Sequence, residues 1–81
     1  MDQKTAVFVP QKEEQNKVRE IMEQVVVALK EKGYEPVSQI VGYILSGDPT
    51  YITSHNNARA LVCKVERDDI LQEMIKSYLK L

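Results

Sequence analysis

Apolar residues recur at helical spacing over most of the chain. Val18, Ile21, Met22, Val25, Val26 and Leu29 stand at i, i+3, i+4, i+7, i+8 and i+11, and Glu13, Glu14, Arg19, Glu20, Glu23 and Lys30 fall largely off that stripe. The pattern predicts a helix of about five turns from Gln11, ended by Gly33, a residue free to take the left-handed conformation of a helix terminus. Pro36 suits the first position of a second helix, in which Val37, Ile40, Val41, Ile44 and Leu45 repeat the spacing until Gly47 closes it. Beyond the polar cluster Thr53–Asn57, the positions of Ala58, Leu61, Val62 and Val65 predict a third helix. A fourth carries Ile70, Leu71, Met74, Ile75, Tyr78 and Leu79 as its apolar face, with Asp68 and Asp69 at its start and Lys76 and Lys80 near its end to complement the helix dipole. These two either break near Glu66-Arg67 or run on through it. The predicted fold class is all-α, a compact bundle of about four helices plus a short helical turn.

That turn falls in the stretch "GYILSGDPTYI", residues 42–52, which holds two of the three glycines and one of the three prolines. Asp48 is the capping acceptor and Pro49 the first helical position, so Thr50, Tyr51 and Ile52 are predicted to form a single turn. Gly42 inside the second helix is less favourable than alanine by up to ~1 kcal/mol, which implies close approach by a neighbouring helix, with a kink as the alternative. A phosphate cradle needs several glycines whose N–H groups converge, and then a lysine. Here bulky Tyr43, Ile44 and Leu45 separate Gly42 from Gly47 and no lysine follows, so Gly33, Gly47, Asp48 and Pro49 read as structural turn residues.

Residues 1–10, "MDQKTAVFVP", stand apart from this periodicity. Ala6-Val7-Phe8-Val9 has strand-like chemistry but is short, terminal and stopped by Pro10, which lacks a backbone donor. The segment reads as an N-terminal tail, flexible or lightly docked, ahead of a single helical domain at 11–81. Its Thr5 reads either as polar filler of a terminal tail or as a hydroxyl that a protein kinase can accommodate, and a phosphate there adds about −1.5 to −2 charges beside Lys4.

A chain of 81 residues forms one domain at most and buries only about 60–65% of the surface its unfolded form exposes, so a monomer is marginal. The second helix is too apolar for so short a chain to cover on every side. A homodimer is expected, with Ile40, Tyr43, Ile44 and Ile52 at the contact. Composition otherwise changes little: 43% of residues are apolar and 28% charged, as in ordinary folded domains.

Eleven basic residues against twelve acidic give a net charge of −1, which supplies no general attraction to nucleic acid or anionic lipid. The third helix offers Asn56, Asn57, Arg59 and Lys64 but then turns acidic, a thin outline for a recognition helix; a small helix-turn-helix-like nucleic-acid-binding module is the alternative reading. One cysteine and one histidine make neither an internal disulfide nor a zinc site. Ser54, His55 and Cys63 have no spacing that specifies a nucleophile, a base and an orienting group, so no catalytic residue, metal or cofactor is expected. Cys63 reads as a small buried hydrophobe and His55 as a solvated or capping residue. No apolar run reaches the roughly 18 residues of a membrane span and no signal-peptide core opens the chain, so a cytoplasmic location is expected.

The strings "GYEPVSQIVGYILSGDPTYITSHNNAR" at 33–59 and "ERDDILQEMIKSYL" at 66–79 resemble the IreB family of small cytosolic proteins of low-G+C Gram-positive bacteria. The resemblance runs from about Thr5 to Leu79 and is most specific at Gln39–Tyr43 and Leu45–Pro49. It implies a helical homodimer without an enzymatic site. It implies also a regulatory substrate of a membrane Ser/Thr kinase bearing PASTA repeats, with the kinase's phosphatase as a further partner and a role in cell-envelope stress or cephalosporin resistance. The downstream protein is unspecified. Of the family's two tail threonines, one matches Thr5, followed three residues later by Phe8, and the other falls at Asp2, leaving one acceptor.

Overall fold

In the computed structural model, which describes residues 12–81, helix α1 (Lys12–Glu31) is the platform on which the remaining elements are laid. Helix α2 (Pro36–Ser46) follows. Two single 3-10 turns, Pro49–Tyr51 and His55–Asn57, then lead into the short helix α3 (Ala58–Val62), and α4 (Arg67–Leu79) completes the order. The described residues are all-helical, with no strand. The tail assigned to residues 1–10 and its Thr5 lie outside the described residues.

Local chemistry sets the boundaries. At the end of α1, Gly33 is left-handed at φ +81°, and the N–H groups of Gly33 and Tyr34 donate to the carbonyls of Lys30 and Leu29 at 3.0 and 2.9 Å, the paired bonds of a Schellman terminus. Glu35 caps α2: its carboxylate accepts from the Ser38 backbone N–H at 2.8 Å and from the Ser38 hydroxyl at 3.1 Å, with Pro36 in the first turn. Gly47 ends α2 at φ 74°, its N–H donating to the Tyr43 carbonyl at 2.8 Å. The third and fourth helices are separate: α3 stops at Val62, the N–H groups of Cys63, Lys64 and Val65 make turn bonds back to the Arg59, Leu61 and Val62 carbonyls, and α4 starts afresh behind the extended Glu66.

The core is built on the α1 stripe. Val25, Ala28 and Leu29 are fully enclosed, with Val18 and Ile21 nearly so. Against them sit Ile40 and Tyr43 from α2, Ile52 from the corner, Ala58 and Val62 from α3 and Ile70 from α4. Each addition is small, and α1 packs on α3, α4 and α2 in turn. Burial of each aliphatic side chain contributes about 1.5–3 kcal/mol.

Gly42 marks a close approach, though by an aromatic ring and not by a neighbouring helix. A Cβ at this position would stand 2.9 Å from Tyr51 Cζ and nearer still to Cδ1 and Cε1. Two effects therefore oppose in Gly42→Ala. Helix propensity favours alanine by about 1 kcal/mol, but the Tyr51 ring, only 39% exposed, must leave its seat. We expect the ring to dominate, with a melting temperature a few degrees below wild type, since each kcal/mol is worth roughly 4–8 °C in a domain of this size. In a Tyr51→Ala background the sign should reverse and Gly42→Ala should stabilise. Thermal denaturation of the four proteins of this double-mutant cycle decides it.

Candidate functional site

Three long side chains from three elements hold the corner between α2 and α3. Gln39 Nε2 donates to the Tyr51 carbonyl at 2.9 Å, Arg59 Nε to the Ile52 carbonyl at 2.8 Å, and Arg67 NH1 to the Ile44 carbonyl at 2.8 Å. The last satisfies one of the carbonyls that α2 leaves unpaired at its C-terminus and brings a positive charge to the negative end of its dipole. Within the corner Asp48 Oδ1 accepts from the Thr50 N–H at 3.0 Å and the Thr50 hydroxyl at 2.7 Å, with Pro49 following the cap. Ser46 Oγ donates to the Gly42 carbonyl at 2.7 Å and accepts from the Asp48 N–H at 3.0 Å. Every one of these groups is engaged in holding backbone, which is the chemistry of a structural corner.

Two carboxylates at these caps respond to pH. The backbone N–H of Ser38 is the main influence holding Glu35 below its ordinary value of 4.5, and the Thr50 hydroxyl and then its N–H hold Asp48 below 3.8. A depressed folded pKa gives stability that is present above the unfolded pKa and lost as pH falls through the folded one. The melting temperature should therefore decline as pH is lowered below the unfolded values of these two groups. The Glu35→Gln, Asp48→Asn protein should show a shallower decline over that window; an identical decline would remove these caps from the acid response. Both side chains are solvent-exposed, so the difference is modest.

The polar residues next to the corner are not solvated filler. His55 Nε2 lies 2.8 Å from Glu31 Oε1, and Asn56 Nδ2 donates to the same oxygen at 3.1 Å, tying the loop to the end of α1. Asn56 and Asn57 are both left-handed, at φ 53° and 64°. Of the residues considered for nucleic-acid recognition, Arg59 is thus turned onto the Ile52 carbonyl, and α3 has only five residues. Cys63 is exposed and not buried as expected, because it follows Val62 just past the end of α3, where the core-facing position has already been taken. Among the described residues no group of three or more His, Cys, Asp or Glu side chains converges as metal ligands, and no helix is long and apolar enough to cross a membrane.

The surface is unusual in its apolar faces. Of the six apolar residues on the expected inner face of α4, only Ile70 is buried; Leu71, Met74, Ile75, Tyr78 and Leu79 are exposed. On α2 the exposed line is Val37, Val41 and Leu45, the last 80% exposed. Of the residues expected at a contact between copies, Ile40, Tyr43 and Ile52 lie in the chain's own core and Ile44 is half-buried against it. Ile44 and Leu71 border one small depression beside Arg67, so the outer faces of α2 and α4 meet there.

Between α1 and α4 runs an open groove of 570 Å³. Val18, Met22 and Val26 line it on one side and Ile70, Met74 and Tyr78 on the other, with polar lining from Arg19, Glu23 and Glu73. Among the described residues it is uncovered because α1 is long and α3 and α2 cover it only in part.

A family profile described as IreB regulatory phosphoprotein matches residues 3–80. A protein of Acetivibrio thermocellus described as a UPF0297 protein is 57% identical over 76 residues, which cover 94% of this chain and 84% of that relative.

Proposed function

The chain belongs to the IreB family, and we propose that it works as a non-enzymatic, cytoplasmic regulatory module that binds other proteins and is tuned by phosphate at Thr5. The observation that carries this reading is the pair of apolar faces on α2 and α4 that the described residues leave uncovered. Exposed apolar faces of this kind mark surfaces that associate with other proteins. One occupant is a second copy of the chain, docked on Val37, Val41, Ile44 and Leu45 together with Leu71 and Ile75. This revises the expected contact on α2 to the residues that its core leaves free. A downstream protein is the other.

A Ser/Thr kinase transfers the phosphate from ATP, with its phosphatase resetting the module, in the pathway of envelope stress or cephalosporin resistance that the family resemblance implies. The Thr5 hydroxyl oxygen attacks the γ-phosphorus of ATP, the bond to ADP breaks, and the hydroxyl proton passes to the kinase's base. The dianion changes association by charge while the helical unit, from α1 onward, keeps its melting behaviour.

Sedimentation equilibrium and phosphate incorporation test the two halves. Wild type should be dimeric at high micromolar concentration and Val41→Glu monomeric with unchanged helicity; a monomeric wild type defeats the dimer. Thr5→Ala should abolish incorporation by the cognate kinase. Uptake at Thr50 or Thr53 in its place defeats the assignment of Thr5.

A further inference from the structure

We propose that the α1/α4 groove receives a basic amphipathic helix of a partner protein; this deepens the role proposed above and rests on the chain being a module that binds other proteins. The walls of the groove select the occupant. Both are α-helices, and the described residues contain no strand, so no sheet edge is offered to an extended peptide. A proline-rich segment needs several aromatic rings, and among the described residues of the lining Tyr78 is the one aromatic. A phosphorylated segment needs clustered arginines, but Arg19 is outnumbered here by Glu23 and Glu73. A small apolar ligand needs walls that enclose most of it, whereas Tyr78, Val27 and Met74 are 85%, 50% and 40% exposed. A helix meets all of these conditions, because it satisfies its own backbone hydrogen bonds and has only a side-chain stripe to bury.

Length and charge narrow the choice further. From Val18 to Val27 α1 rises roughly 14 Å, and from Ile70 to Tyr78 α4 rises roughly 12 Å. Apolar anchors at i, i+3, i+4 and i+7 of a docked helix span roughly 10.5 Å, so one such set fills the groove. Met22 and Met74 bring a flexible thioether to each wall, side chains that repack around anchors of different shape. Glu23 stands on one wall and Glu73 on the other, so the flanks of the occupant that face them are lysine and arginine. The lining shares no residue with Val37, Val41, Leu45, Leu71 and Ile75, the faces assigned above to a second copy.

The probe is a fluorescein-labelled peptide of about 14 residues with leucine at i, i+3, i+4 and i+7 and lysine on the remaining face, paired with a second peptide in which glutamate replaces every lysine. Fluorescence anisotropy with the full chain should show saturable binding of the lysine peptide, roughly tenfold or more tighter than the glutamate peptide at low salt, with a smaller ratio at high salt. Glu23→Lys combined with Glu73→Lys should invert the preference. Glu66→Lys combined with Asp68→Lys makes the same change of net charge outside the groove and should leave the preference in its original direction. Met74→Ser and Tyr78→Ser should each weaken the lysine peptide roughly fivefold to tenfold with helicity retained, and the exposure of Tyr78 keeps the second variant safe for folding. Val41→Glu should bind as wild type does.

Absence of saturable binding, or equal binding of the two peptides, overturns the proposal. So does inversion by the Glu66, Asp68 pair, which would assign the attraction to net charge, and so does binding that survives both serine variants. Loss of binding in Val41→Glu would move the seat to the outer face of α2, and a dimer that dissociates in Tyr78→Ser would give the groove to a second copy; either result overturns it as well. The two readings separate cleanly: a dimeric wild type that ignores both peptides overturns the groove alone, and a monomeric wild type that selects the lysine peptide upholds the groove and defeats the dimer.

Discussion

Gly47→Val is expected to destabilise the protein by about 2–4 kcal/mol, a fall in melting temperature of roughly 10–25 °C for a domain of this size. Two causes combine. At φ 74° the backbone of residue 47 is left-handed, and a β-branched side chain there is strained by about 1–2 kcal/mol or more. The new Cβ would also stand 2.9 Å from Arg67 Cζ, so the guanidinium must leave the Ile44 carbonyl that it now bonds. Gly33 separates the two. It is equally left-handed, at φ 81°, but a Cβ there meets nothing within 4 Å. Gly33→Val should therefore show the backbone strain alone, and the excess at Gly47 should shrink in an Arg67→Ala background, where the guanidinium is already gone. Thermal denaturation of these proteins measures both parts. A Gly47→Val protein that melts with wild type would show that α2 does not need its left-handed terminus.

Such local features were the legible part of the chain. Gly33, Gly47, Asp48 and Pro49 sit as expected because capping and left-handed backbone depend on a few adjacent residues. The α1 stripe was equally clear, since one face alone is apolar. Helix α2 was different: Val37, Val41 and Leu45 form one apolar line and Ile40, Tyr43 and Ile44 another, and periodicity has no means of saying which turns inward. The structure directs Ile40 and Tyr43 to the core and leaves the first line outside.

Helix α4 shows the same limit more strongly, because its apolar face is real but the described residues cover only Ile70. The polar bonds of the corner were hidden for another reason. Gln39, Arg59 and Arg67 reach carbonyls 12, 7 and 23 residues away, and a long side chain carries no mark in sequence of the backbone it will hold. Thr5 is the reverse case: as a hydroxyl in the terminal segment it marks itself only weakly, and the resemblance is what singles it out as an acceptor.

Ile52 brings these two kinds of information to one residue, and Ile52→Ala is expected to cost about 2–5 kcal/mol. Its side chain is 0% exposed, among the largest fully enclosed groups in the structure, and its carbonyl is held by Arg59, so the surrounding chain has little freedom to collapse into the vacated space. A domain of 81 residues has a total stability of roughly 4–12 kcal/mol, so this one change removes a large fraction of it. The melting temperature should fall by roughly 10–30 °C, by the same amount in dilute and concentrated solution, because the lost contacts are within one chain. A residue at a contact between copies would behave otherwise: its truncation would loosen the dimer in sedimentation equilibrium, and the melting loss would depend on concentration. Val41→Glu is expected to show that second behaviour. If Ile52→Ala weakened association and left the melting of the dilute protein untouched, the corner would belong to the contact between copies and the core would have to be redrawn without it.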